Sequence, residues 1–120
     1  MHEISLCEGI LQILEEQSQK QQFSRIKTVW LEIGELSSVE IDAMRFAFDA
    51  VMRNTIADSA RLEILSVKGS ARCRNCGKTQ SIISHYDACS ACGNYALEIT
   101  DGQQMRIKEL EVEHAMYDTN

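Results

Sequence analysis

Two pairs of cysteines carry the most specific chemistry in the sequence. Cys73-Arg74-Asn75-Cys76-Gly77 and Cys89-Ser90-Ala91-Cys92-Gly93 both read C-x-x-C-G, with 12 residues between Cys76 and Cys89. A two-residue gap turns both sulfurs of a pair toward one point, and glycine after the second cysteine allows a positive φ there. Two such half-sites make a tetrahedral four-thiolate centre for Zn²⁺. The competing chemistry is a thioredoxin-like redox pair, or reduced thiols without a ligand. Four thiolates leave zinc no open position for water or substrate, so a metal held this way is structural. A segment of some two dozen residues is also too short to hold itself together without such a crosslink. His85 lies between the knuckles and reads as an exposed loop histidine, and the fifth cysteine, Cys7, as a small core residue.

The amino terminus offers donors of another kind. The amine of Met1, the amide of His2 and the His2 imidazole form adjoining chelate rings on one ion. Nitrogen donors in a plane suit Ni²⁺ or Cu²⁺ better than zinc. Taken alone, a histidine at position 2 is ordinarily just a solvent-exposed residue.

The elements that must position these groups follow from hydrophobic periodicity. Ile4, Cys7, Ile10, Leu11 and Leu14 predict an amphipathic helix from His2 to about Gln19, with the polar run Glu15 to Gln22 as its solvated end and turn. From Arg25 to Ile33 the period becomes two. Val29, Leu31 and Ile33 share one face, Ile26, Thr28 and Trp30 the other, and Gly34 closes the strand. Ser37-Ser38-Val39-Glu40 matches a capping box opening a second helix. The stripe of that helix, Ile41, Met44, Phe48, Val51 and Thr55, runs to about Asn54. Arg61 to Val67 alternates as a short strand, and Met105 to Val112 as a last one whose phase slips between Ile107 and Leu110, the mark of a bulge. The tail from His114 to Asn120 has no pattern and is expected to fray.

A strand-helix-strand unit needs a crossover, whereas the strand returning after the cysteine module can pair antiparallel with the strand before it. The expected fold is therefore α+β: two helices on a small mixed three-stranded sheet, with an inserted four-cysteine zinc-ribbon domain projecting from a hairpin. The expected division places residues 1–69 and 103–120 in an α/β domain that carries the amino-terminal donors and 70–102 in the zinc-binding domain, with Gly69 and Gly102 near the joints.

Composition narrows the classes further. A chain of 120 residues suits one compact domain or two very small ones. The apolar and charged fractions, 44% and 25%, are those of an ordinary folded domain. No apolar run exceeds three residues, which excludes a membrane-spanning helix. The start lacks a signal peptide, so a cytoplasmic location is expected, with thiols kept reduced and five cysteines pointing to metal instead of disulfides. The net charge of −6 argues against a general nucleic-acid binder. Between Ser70 and Tyr95 three basic residues face one acid, giving +2 and leaving −8 for the remainder. Zinc on four thiolates would bring that segment close to neutral. No nucleophile–base pair and no phosphate loop is present, and Glu32 and Glu35 read as a strand residue and a loop acid, so an enzyme is not expected.

In combination these features resemble a known family. The opening M-H-E-I-S-L, the stretch V-W-L-E-I-G-E-L-S-S-V-E at Val29 to Glu40, both knuckles and the closing M-R-I-K-E-L-E-V-E at Met105 to Glu113 are similar to the HypA/HybF hydrogenase nickel-incorporation proteins, over about the first 113 residues. The resemblance implies a nickel metallochaperone delivering Ni²⁺ for maturation of [NiFe]-hydrogenase, and in some bacteria urease. It implies a cytoplasmic protein working with the GTPase HypB and the hydrogenase large-subunit precursor, while charge and apolar run length argue against nucleic-acid and membrane partners and leave monomer and homodimer both open. Carried over by position, the nickel donors are Met1 through its amine, His2 through amide and imidazole, and Glu3 through its amide. Glu40 stands where the family can bring an acid near nickel, although the capping box already accounts for it. Zinc falls on Cys73, Cys76, Cys89 and Cys92. The tail after Glu113 has no evident family counterpart. The alternative is a zinc-ribbon adaptor in transcription or translation, which needs a basic or aromatic surface and has no use for His2.

Overall fold

Eight elements succeed one another in a computed structural model that describes residues 2–114: α1 (Glu3–Gln21), β1 (Phe23–Gly34), α2 (Ile41–Met52), β2 (Arg61–Val67), β3 (Gly69–Cys73), β4 (Thr79–Ile82), β5 (Leu97–Asp101) and β6 (Met105–His114). The Met1 amine and the tail residues 115–120, read above as frayed, lie outside the described residues. The strands form two three-stranded sheets, ordered β2-β1-β6 and β4-β3-β5. The class is α+β, as the periodicities predict.

The last strand does not pair with its predecessor in sequence. β6 lies beside β1, on the side away from β2, and runs antiparallel to it: the Gly34 N–H donates to the Gln104 carbonyl at 2.9 Å and the Thr28 hydroxyl to Glu111 at 2.7 Å. β1 has 12 residues and buries side chains on both faces, as a central strand must, whereas in β2 Leu62 alone is fully buried. The cysteine module is thus inserted in the connection from one edge strand to the other, not in a hairpin. Along β6 the half-buried positions are Met105 and Ile107, then Leu110 and Val112, the expected slip in phase.

The chain divides into two compact units: one of described residues up to Leu31, with Val39–Glu63 and from Ile107 onward, the other of Glu32–Ser38 and Ile64–Arg106. In the first, Cys7, Ile10 and Leu14 of α1 and Met44, Ala47, Phe48 and Met52 of α2 share a core with Phe23, Ile26, Val29 and Leu31 of β1. The α1 stripe is offset from the predicted one at its start, where Glu3 is buried and Ile4 faces water. α1 runs two residues further than expected and ends at Gln22 in the left-handed region, its N–H bonded to the Ser18 carbonyl at 2.8 Å. α2 ends at Met52, short of Asn54.

In the second unit β3 is central, paired antiparallel with β4 from Gly69↔Ile82 to Arg72↔Thr79 and with β5 from Ser70↔Asp101 to Cys73↔Leu97. Three glycines pack backbone to backbone there. A Cβ on Gly34 would lie 2.0 Å from the Gly102 carbonyl oxygen, and one on Gly102, whose φ is +91°, 2.6 Å from the Gly69 Cα. The Leu36 N–H donates to that same Gly102 carbonyl at 2.8 Å.

Candidate metal centres

At the start of α1 the helical frame places residues 3, 7, 10 and 14 on the buried face, so the third residue must go inside. That residue is an acid. Its carboxylate accepts the backbone N–H of Glu40 at 3.1 Å, satisfying a charge that burial would otherwise penalise. The structure therefore brings Glu3 together with the backbone of Glu40, across 37 residues of chain. His2 is the N-cap of α1, exposed, and makes no side-chain capping bond, so its imidazole is not committed to the helix. The first helical hydrogen bond runs from the Leu6 N–H to the His2 carbonyl at 2.8 Å, and the amide of Glu3 precedes it.

The capping box is not realised. Glu40 itself occupies the N-cap of α2, which has no side-chain capping bond, while the Ser37 hydroxyl donates to the Gly34 carbonyl at 2.7 Å. The exposed Glu40 side chain is therefore released from the capping role. Serine three residues before glutamate is sufficient for the motif but not for the cap, because the chain makes a Gly34–Ser37 turn first.

The second centre is the cysteine cluster. The sulfurs of Cys73, Cys76, Cys89 and Cys92 all lie within 4.8 Å of one another, with Cys73 to Cys92 at 3.7 Å and Cys76 to Cys89 at 3.6 Å. A tetrahedron of sulfurs at about 2.3 Å from one ion has edges of about 3.8 Å, so the donor set fits a tetrahedral thiophilic metal such as zinc. The two knuckles are built alike. Cys73 N–H donates to the Lys78 carbonyl at 2.9 Å and Gly77 N–H to the Cys73 carbonyl at 2.8 Å; Cys89 N–H donates to the Asn94 carbonyl at 2.8 Å and Gly93 N–H to that of Cys89 at 2.9 Å. Gly77 and Gly93 have φ of 81° and 77°, the backbone the motif requires.

Backbone N–H groups also point at sulfur: Cys76 to Cys73 at 3.5 Å and Ala91 to Cys89 at 3.4 Å, joined by the Asn75 side-chain amide to Cys92 at 3.5 Å. The amides of Cys92 and Ala91 pull the Cys89 thiol down to about 6, and the Asn75 amide pulls Cys92 down. At Cys76 the Lys78 amide pulls the same way, but the neighbouring sulfurs and desolvation outweigh it and lift the thiol to about 11. Four sulfurs this close cannot all ionise without a cation among them.

The remaining candidates resolve simply. His85 is exposed and stands outside the four-cysteine group. Cys7 is fully buried, its sulfur 3.8 Å from that of Met44, and burial, then the Glu3 charge, pushes its thiol up to about 11. Glu32 pairs with Arg106 at 2.5 Å and Glu35 accepts the Ser66 hydroxyl at 2.9 Å, so neither forms a dyad. Sequence reading missed the Glu3 carboxylate as a tie and Gln80, which bonds the second knuckle; nothing in the pattern of β4 singles that glutamine out.

The profile of the HypA family, described as hydrogenase/urease nickel incorporation, metallochaperone, matches residues 1–112. The chain is similar to the hydrogenase maturation factor HypA of Alkalilimnicola ehrlichii, 56% identical over 113 residues that cover 94% of this chain and 100% of the relative. It is also similar to that of Bradyrhizobium sp., 55% identical over the same shares. Among solved structures, the Ni metallochaperone HypA from Helicobacter pylori superposes with a TM-score of 0.75 at 27% identity, over 96% of this chain and 100% of that one. The adaptor reading is not favoured. A family profile spanning nearly the whole chain, relatives above half identity and the shared fold lead to one conclusion: the chain belongs to the HypA family of nickel metallochaperones for hydrogenase maturation.

Proposed function

We propose that this protein carries Ni²⁺ as cargo at its amino terminus and delivers it to the [NiFe]-hydrogenase large-subunit precursor, or to urease, in the cytoplasm, in partnership with the GTPase HypB. The donors in this reading are the Met1 amine, the His2 amide and imidazole, and the Glu3 amide. The observation that carries it is the start of α1: His2 caps the helix without a side-chain bond, and the Glu3 amide precedes the first helical hydrogen bond. Metal binding through those amides would break no helical hydrogen bond. Their deprotonated nitrogens would also sit at the positive end of the helix dipole, which favours anionic groups. Glu40, whose backbone is tied to Glu3, is the acid available for a further contact.

In the same reading Cys73, Cys76, Cys89 and Cys92 hold one resident Zn²⁺. With all four positions filled by sulfur its contribution is to fold the module, not to activate a ligand. The functional division is residues 1–69 with 103–120 for nickel and 70–102 for zinc. The test is complementation: in cells lacking the protein, His2→Ala should fail to restore hydrogenase activity while the purified variant keeps one zinc per chain. Full activity with His2→Ala would refute the amino-terminal site.

A further inference from the structure

The two knuckles are held in different ways. Cys73 is the last residue of β3 and pairs with Leu97 of β5, and the next N–H, of Arg74, donates to the Ala96 carbonyl at 2.9 Å. The first knuckle therefore grows out of a strand ladder. Cys89 lies in the irregular segment between β4 and β5, and its closing bonds, to Asn94 and from Gly93, are internal to its own turn. One side chain of β4 ties the residues on either side of Cys89 to the sheet. Gln80 Oε1 accepts the Ser90 N–H at 2.8 Å and the Ser90 hydroxyl at 3.1 Å, while Gln80 Nε2 donates to the Ala88 carbonyl at 3.1 Å.

These three bonds bracket Cys89 on both sides. A carboxamide presents donor and acceptor in one plane, so it can clamp a carbonyl and an N–H two residues apart much as a neighbouring strand would. Holding Ser90 also orients the next peptide, whose N–H, that of Ala91, points at the Cys89 sulfur at 3.4 Å.

We infer that Gln80 is the positioning residue of the four-cysteine centre, a latch that holds the second knuckle on β4 so that the metal meets both half-sites assembled. This rests on reading the cluster as a resident zinc site. Without Gln80 all four sulfurs remain, so stoichiometry stays the same, but residues 88–90 lose their bonds to β4 and are held only by the turn's own bonds and by the metal centre. The lost preorganisation then appears as faster release. Hydrogen-bonding partners outside the ligand sphere commonly change metal affinity by about 10–100-fold.

The experiment follows zinc release from the full-length, zinc-loaded protein to a chromogenic chelator. Gln80→Leu is expected to release zinc about 10–100-fold faster, from an initial content of one per chain and with the melting of the α/β unit unchanged. Gln80→Glu keeps both acceptor bonds to Ser90 but sets an oxygen against the Ala88 carbonyl, so its rate should fall between parent and Gln80→Leu. If Gln80→Leu does not fold, Gln80→Glu decides: faster release supports the latch, a parental rate overturns it. Parental release from Gln80→Leu overturns the latch and leaves the zinc reading standing. A parent protein that purifies without zinc overturns the zinc reading, and the latch with it.

Discussion

At its first turn α1 buries an acid where its stripe calls for an aliphatic residue: Glu3 is 6% exposed, while the neighbouring Ile4 is 53% exposed. An apolar count alone prefers the reverse, but the Glu40 amide gives the buried carboxylate a charge-assisted partner. The same carboxylate acts on Cys7, one turn along, where burial first and the Glu3 charge second raise the thiol to about 11. The sign of the consequence is fixed. A thiol whose folded value lies above its unfolded value of about 8.5 stabilises the fold fully below the latter and loses that stabilisation as pH rises toward the former. The α/β unit should therefore lose urea resistance between about pH 8.5 and about 11, and Cys7→Ala should flatten that alkaline limb while leaving zinc content at one per chain. An unchanged limb would mean that Cys7 does not titrate with unfolding.

At the scale of elements, the glycine contact in the second unit sets how closely the end of β1, the start of β3 and the turn before β6 approach. Gly34→Ala places a methyl group 2.0 Å from the backbone oxygen of Gly102, where no side chain can rotate away. It should cost about 3 kcal/mol or more, read as a lower urea midpoint, whereas Gly9→Ala, with nothing within 4 Å of the added Cβ, should be neutral or stabilising in its helix. Both helices, β1, β2 and β6 are legible in the sequence because each runs for seven or more residues, long enough for its apolar positions to show a period. The knuckles are legible because metal geometry constrains their spacing. β3, β4 and β5 are not: each has four or five residues, and segments such as Thr79-Gln80-Ser81-Ile82 hold too few apolar positions to show a period. Their pairing is fixed by long-range register. The place of β6 beside β1 is a long-range pairing that no local pattern contains, and the failed capping box shows a motif losing to the turn that precedes it.

Over the whole molecule, stability comes from two sources: apolar burial among α1, α2 and β1, and in the β4-β3-β5 unit a core limited to a few side chains, including Ala71, Ile82 and two of the cluster cysteines, Cys73 and Cys89. Cys89→Ser should accordingly abolish hydrogen-exchange protection across residues 70–95 and leave that of α1, α2 and β1; loss of protection throughout would mean one cooperative fold. The central claim concerns the nickel site and turns on a single atom, the amino-terminal nitrogen, since one extra residue before Met1 converts that amine to an amide while keeping every side chain. Nickel titration calorimetry on the protein with Met1 free, against a form extended by two residues, tests it most directly. The expected result is one tight equivalent for the free terminus and a loss in the extended form as severe as that of His2→Ala, with zinc content and fold unchanged. Equal nickel affinity in both forms would contradict the amino-terminal site.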